Sequence, residues 1–183
     1  MWIAGMAEVH AAEAVATFAG GCFWCTESDF EKVPGVTSAV SGYTGGRIAN
    51  PTYEQVSHGG TGHAEAVQVR FDPDKVSYAQ LLAIYWRSVD PTVENRQFCD
   101  VGSQYRTAIY AHDAEQRKLA EATRDEAAKA LGVKVHTEIA DAGTFYPAED
   151  YHQDYYKKNP IRYKFYRANC GRDARLEKIW SNK

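Results

Sequence analysis

The run Gly20-Gly21-Cys22-Phe23-Trp24-Cys25-Thr26-Glu27 carries the residues of this 183-residue chain best suited to chemistry. It follows the apolar stretch Ala14-Val15-Ala16-Thr17-Phe18-Ala19, so it reads as a strand, a glycine turn and a helix that starts at Cys22. A thiol at a helix N-terminus meets unpaired backbone N–H groups and the positive end of the macrodipole. Both favour the thiolate, the nucleophilic form. Cys22 is therefore a candidate nucleophile. With Cys25 it also makes a C-x-x-C pair, whose i, i+3 spacing on a helix brings the two Cα atoms within disulfide range. Such a pair serves redox chemistry or zinc. Zinc would need two more ligands, which Cys99 and Cys170 could supply, although neither stands in a second C-x-x-C. The plainer alternative is a small core residue; the glycines before Cys22 and the helix beginning at it weigh against that.

A second group joins by periodicity. Glu65, Val67, Val69 and Phe71 alternate with Ala66, Gln68, Arg70 and Asp72, so the first four share one face of a strand. The apolar members make that face the buried one, and Glu65 lies on it. Desolvation there raises a carboxyl pKa and keeps the proton on; a salt-bridged or edge-exposed glutamate is the alternative. Phe23 and Trp24 pack a core in either case and, beside a nucleophile, also offer a wall for an apolar group. His58, His63, His112, His136 and His152 show no metal-ligand spacing.

The elements that must hold these groups can be read from their punctuation. The Cys22 helix runs to about residue 33, before Pro34-Gly35, and residues 36–43 read as a strand ending at Thr44-Gly45-Gly46. Thr52 caps a short helix to His58, and Ser77-Tyr78-Ala79-Gln80 is a capping box for a helix whose stripe is Tyr78, Leu81, Leu82 and Tyr85. Residues 106–110 and 133–139 are strand candidates. Asp113 caps a helix to Leu131, residues 148–158 read as helical, and a basic, aromatic tail from residue 161 carries Cys170. Strands and helices without regular βαβ alternation argue an α+β fold.

Composition excludes several functions. Net charge is −3, from 21 basic and 24 acidic residues, which gives no electrostatic case for nucleic acid or an anionic membrane. No run approaches the roughly 18–20 apolar residues of a membrane span. The four cysteines are too sparse for a disulfide scaffold. Residues 1–14 read as an N-terminal arm and residues 15–183 as one catalytic domain. The expected compartment is the cytoplasm, or the periplasm if residues 1–14 are the remnant of an export signal.

Six blocks carry a resemblance: Gly21-Cys22-Phe23-Trp24, Ser41-Gly42-Tyr43-Thr44-Gly45-Gly46, Asn50-Pro51-Thr52-Tyr53, Thr61-Gly62-His63-Ala64-Glu65-Ala66-Val67, Tyr105-Arg106-Thr107-Ala108-Ile109-Tyr110 and Tyr146-Pro147-Ala148-Glu149-Asp150-Tyr151-His152-Gln153. In this order, over residues 18–160, they resemble peptide methionine sulfoxide reductases of the A type. The resemblance implies a two-layer α+β sandwich with a ferredoxin-like core and reduction of S-epimer methionine sulfoxide, in proteins or free, by a peptide-methionine (S)-S-oxide reductase. It implies that Cys22 attacks sulfur, that Glu65 donates the proton, and that Tyr43 and Tyr105 hydrogen-bond the sulfoxide oxygen. Asp100 matches a polar site residue, and Phe23 and Trp24 the wall for the methyl group. Attack leaves a sulfenic acid that a second thiol converts to a disulfide. Thioredoxin, or dithiothreitol in vitro, then reduces it, with no metal or organic cofactor and the enzyme a monomer. The resolving thiol stays open. The family favours C-terminal cysteines, which points to Cys170, but Cys25 stands where the family commonly has glycine, and Cys99 adjoins Asp100.

Overall fold

The computed structural model describes residues 12–181; most of the N-terminal arm inferred above lies outside them, although Ala14 already belongs to the first strand. In chain order the elements are β1 (Ala14–Gly20), α1 (Phe23–Glu31), β2 (Val36–Thr44), α2 (Tyr53–His58), β3 (Ala64–Phe71), α3 (Tyr78–Ser88), β4 (Arg96–Gln97) and β5 (Asp100–Val101). There follow β6 (Thr107–Ala111), α4 (Ala114–Leu131), β7 (Glu138–Asp141), β8 (Tyr146–Pro147), α5 (Tyr155–Lys158), α6 (Pro160–Asn169) and α7 (Arg172–Trp180). The main sheet has the order β7-β6-β1-β3-β2-β8 and is antiparallel except for the β6–β7 pair. The fold is α+β.

Side-chain alternation decides what each face of the sheet packs against. Phe18 of β1 pairs with Val67 on one side and Ile109 on the other, so all three point the same way. On that side Phe18 stacks on Phe30 of α1 at 4.8 Å and Tyr85 of α3 at 5.1 Å. Burying each such large apolar side chain contributes about 1.5–3 kcal/mol. The other face carries small residues, Ala19, Ala64, Ala66 and Ala108, with Tyr110, and packs against Ala140, Ala142 and Phe145. Glu65 shares the parity of Val67 and therefore faces the helices.

Local chemistry fixes the helix ends. Thr52 and Ser77 both form complete capping boxes, with Gln55 and Gln80 respectively. Asp113 accepts from the Gln116 N–H at the start of α4, and Gly132 ends it in the left-handed region. At the β1–α1 junction Gly21 has φ 82°, and a Cβ there would lie 2.5 Å from Gln97 Cβ. Only glycine lets the chain turn this tightly against the β4 segment.

Three stretches depart from the sequence expectation. The strand expected at 133–139 forms instead at Glu138–Asp141, beside β6, because that is where backbone pairing is available. The helix expected at 148–158 is a 3-10 turn and the short α5, interrupted by Asp154 at φ 53°. Distant partners take this backbone: Glu27 accepts the Asp154 N–H at 2.6 Å and the Ser41 carbonyl accepts the Ala148 N–H at 2.8 Å, while the Gln153 side-chain amide ties the segment to the Ser41 N–H and carbonyl of β2. The tail forms α6 and α7 and docks, with Trp180 joining the main core. Cys170 consequently sits in the α6–α7 corner, joined to Cys99 in a disulfide.

Candidate active site

Cys22 is the N-cap residue of α1; its carbonyl accepts the Cys25 N–H at 3.1 Å and the Thr26 N–H at 3.4 Å. The same helix start donates the Phe23 N–H to Glu65 Oε2 at 3.0 Å. One short turn thus brings together a thiol and a carboxyl 43 residues apart in the chain. Both are buried: Cys22 is 8% exposed and Glu65 2%. Burial is the main cause that lifts the Glu65 carboxyl to about 8; the Phe23 N–H pulls it down, while the Asp100 and Cys25 charges push it further up. Glu65 therefore carries its proton at neutral pH.

The thiol differs from the expectation. Burial pushes Cys22 up, and its hydrogen bond with Cys25 pushes it the same way. Cys25 goes down, chiefly because Cys22 donates to it and further because Arg172 and Arg167 stand nearby. The helix terminus does not act on Cys22 in isolation; the two thiols share one proton, and Cys25 is the better-stabilised anion of the pair.

A cavity of about 200 Å³ opens on Cys22. Glu65, Tyr53 and Tyr105 line it, Phe23 and Trp24 form its aromatic wall, and Asp100 of β5 and Tyr166 of α6 complete the lining. Burial is the main cause raising both the Tyr53 and Tyr105 phenols, Tyr53 to about 12, so both are hydrogen-bond donors at neutral pH. Trp24 is held in place three ways: its indole N–H donates to His152 Nδ1 at 3.0 Å, its ring stacks on Tyr155 at 3.7 Å, and Tyr166 meets it edge-on at 5.8 Å. The Tyr166 hydroxyl donates to Asp100 Oδ2 at 2.5 Å and lies beside Cys22.

Of the residues singled out from the sequence, Cys22, Phe23, Trp24, Glu65, Asp100 and Tyr105 meet at this cavity. Tyr43 does not line it. Its hydroxyl donates to Glu149 Oε2 at 2.8 Å, while Glu149 Oε1 accepts the Tyr53 N–H at 2.7 Å. Tyr43 thus helps to fix the start of α2, and Tyr53 is the tyrosine that lines the cavity with Tyr105. The sequence reading misses Tyr53, Tyr166 and the His152 support of Trp24. Tyr53 has a signal of its own, as the first residue after the Thr52 cap; Tyr166 depends on how α6 docks, which no local pattern reveals. The cysteines divide into an inner pair, Cys22 and Cys25, both buried and free, and the outer disulfide Cys99–Cys170, in which Cys99 is exposed. Because the outer two are bonded to each other, they do not complete a tetrahedral zinc set with the inner two.

Comparison with known proteins shows the family. The family model described as peptide methionine sulfoxide reductase matches residues 14–183. The peptide methionine sulfoxide reductase MsrA of Bacillus pumilus is 52% identical over 171 residues, covering 92% of this chain and 96% of the relative. Among solved structures, reduced Mxr1 from Saccharomyces cerevisiae aligns with a TM-score of 0.78 at 33% identity, over 81% of this chain and 87% of that one. Mxr1 in complex with Trx2 aligns with a TM-score of 0.57 at 25% identity, over 78% and 84%.

Proposed function

The chain belongs to the peptide methionine sulfoxide reductase family, and on that premise we propose the roles of its residues in reducing the S epimer of methionine sulfoxide, in proteins and as the free amino acid. The observation that carries the reading is the meeting of Cys22, a protonated Glu65 and two phenol donors in one small cavity with an aromatic wall. Cys22 Sγ attacks the sulfoxide sulfur. The sulfoxide oxygen, which gains negative charge as the S–O bond weakens, accepts hydrogen bonds from Tyr53 and Tyr105 and the proton from Glu65. Phe23 and Trp24 receive the methyl group. Asp100 is occupied by the Tyr166 hydroxyl and acts as a positioning residue. The order β6-β1-β3-β2, with α1 and α3 as crossovers, supports a ferredoxin-like core beneath this site.

Recycling follows from accessibility. A protein dithiol arriving from solvent meets exposed Cys99 before it meets the buried inner thiols. With Cys99 and Cys170 as thiols, exchange with an inner disulfide carries the oxidation outward, and the pairing of Cys99 with Cys170 supports that pair as its destination. The Mxr1–Trx2 complex supports a thioredoxin as the reductant. The assignment is tested by single-turnover assays with separated sulfoxide epimers. Stoichiometric methionine from the S epimer and none from the R epimer is expected; equal turnover of both would reject it.

The exchange of Tyr43 for Tyr53 has its own test. Tyr53→Phe and Tyr105→Phe each remove one hydrogen bond to a charged oxygen, worth about 1.5–3 kcal/mol or roughly 10–100-fold in the rate of methionine formation. Tyr43→Phe removes a hydroxyl outside the cavity, and its rate stays within about threefold of wild type, the loss being in packing and stability. Stopped quench of the first turnover separates the three. A larger loss at Tyr43 than at Tyr53 would restore Tyr43 to the oxygen site.

A further inference from the structure

Arg172, the first residue of α7, has an environment unusual for a guanidinium. It is 2% exposed, yet among the described residues no carboxylate oxygen lies within 4.0 Å of it. Its Nη2 donates to the Gly20 carbonyl at 3.0 Å and the Ser88 carbonyl at 2.8 Å, its plane lies over the Phe98 ring at 4.6 Å, and its Nε has no hydrogen-bond partner. A buried cation held only by carbonyls and a ring face is costly unless an anion shares its surroundings. Arg167 on α6 makes the contrast, since Asp29 and a bidentate Asp173 neutralise it. The position of Arg172 is equally specific. It packs against Gly20 and Gly21, the turn that leads into Cys22, and so beneath the first turn of α1, where Cys25 is 1% exposed.

Resting on the role given to Cys22 above, we propose that Arg172 is a positioning residue for the second chemical step: its buried charge, in direct contact with no carboxylate, keeps Cys25 as the thiolate that resolves the Cys22 sulfenic acid. The groups that face Cys25 are Cys22 on its own helix, Asp29, Glu65, Tyr163 and Arg167 of α6, and Arg172. Glu65 is protonated and Arg167 is paired directly with two aspartates, whereas Arg172, whose charge also reaches Asp100 and Asp173, has no carboxylate in contact and is the larger positive influence on Cys25. The electrostatic balance at Cys25 agrees, with the Arg172 charge acting in the lowering direction.

The step balances. Attack by Cys22 and protonation of the oxygen give methionine and Cys22–S–OH; the substrate sulfur gains two electrons. The Cys25 thiolate then attacks the Cys22 sulfur, the S–S bond forms as the S–O bond breaks, and the oxygen leaves as water. Its two protons are those that began on the Cys22 thiol and on Glu65. The disulfide holds the oxidation until a protein dithiol reduces it.

The test follows one turnover of the full-length enzyme with methionine S-sulfoxide and no reductant, reading methionine, dimedone-trapped sulfenic acid and mapped disulfides at several pH values. Cys22–Cys25 is the expected first disulfide in wild type, forming with a pH midpoint below that of an ordinary thiol. In Arg172→Gln that midpoint moves up by about one unit or more, disulfide formation at pH 7 slows about tenfold, and trapped sulfenic acid rises in proportion. Arg172→Lys restores the midpoint because it restores the charge. A first disulfide from Cys22 to Cys170 or Cys99 with Cys25 left free would overturn the proposal, as would equal midpoints in wild type and Arg172→Gln, or equal losses in the Gln and Lys variants. Should Arg172→Gln fail to fold, the wild-type midpoint decides alone, and a value at or above that of an ordinary thiol rejects the idea. Absence of methionine in wild type would instead reject the parent reading of the site.

Discussion

Cys22→Ser yields a folded protein that forms no methionine from methionine S-sulfoxide, in single turnover as in steady state. A serine hydroxyl is far less nucleophilic than a thiol that shares its proton with a neighbouring sulfur, and no base in the cavity is placed to activate it, since Glu65 carries its proton. The expected loss is about 10⁴-fold or more. The fold has reason to survive. Cys22 is the N-cap of α1, a position where serine is among the preferred residues, and the substitution removes no large packed side chain. Thermal melting and circular dichroism establish the folded state, and product analysis with a stoichiometric excess of enzyme establishes the loss. Methionine released at more than about a thousandth of the wild-type rate by a folded Cys22→Ser protein would move the nucleophile elsewhere. Cys25 is the first place to look, because the two thiols share one proton.

Much of this site is legible in the amino-acid sequence, and the reasons are local. Alternation places Glu65 on the apolar face of β3, and the glycine turn places Cys22 at a helix start. Each is a statement about a few neighbouring residues, and tertiary packing has only to respect it. The capping boxes at Thr52 and Ser77 and the Asp113–Gly132 limits of α4 are of the same kind. What is not legible depends on contacts between distant segments. Tyr43 and Tyr53 are both aromatic residues at element boundaries; Glu149, about a hundred residues away, accepts the Tyr43 hydroxyl and the Tyr53 N–H, and Tyr53 alone of the two lines the cavity. The segment 148–158 has helical composition, yet buried Glu27 accepts its Asp154 N–H and the Ser41 carbonyl accepts its Ala148 N–H. The C-terminal residues read as a tail because their helices are polar and only Tyr163, Arg172 and Trp180 are buried. Their docking sets Cys170 against Cys99 and brings Tyr166 to Cys22. The expected lowering of the Cys22 thiol fails for a related reason: helix position is local, whereas desolvation and a second thiol are not.

Glu65→Gln separates the proton from the shape. Glutamine keeps the carbonyl oxygen that accepts the Phe23 N–H, so the helix start stays where it is, but it cannot deliver a proton to the departing oxygen. General acids contribute about 10²–10⁴-fold, and methionine formation should slow within that range. The pH dependence gives the sharper signature. With its pKa raised to about 8, Glu65 is protonated and active below that value and lost as an acid above it. The wild-type rate of methionine formation therefore falls as pH rises through about 8, while the limb at lower pH belongs to the thiol pair. In Glu65→Gln the fall near pH 8 disappears and only the thiol limb remains. Stability falls with pH as well, but the substitution relieves that loss. A carboxyl whose folded pKa lies above its unfolded value is bound to its proton more tightly in the folded state, so the protein loses stability as pH rises from about 4.5 to about 8 and stays lower beyond. Glutamine has no such charge to bury, and the variant should be the more stable protein at pH 9, by on the order of a few kcal/mol. Denaturant titrations at pH 6 and pH 9, beside single-turnover rates across the same interval, test both halves. A variant within about twofold of the wild-type rate, or one that keeps the alkaline fall, places the proton donor elsewhere; one that is slow but no more stable at pH 9 shows that folding does not raise the Glu65 carboxyl, which is then ionised at neutral pH and acts only by position.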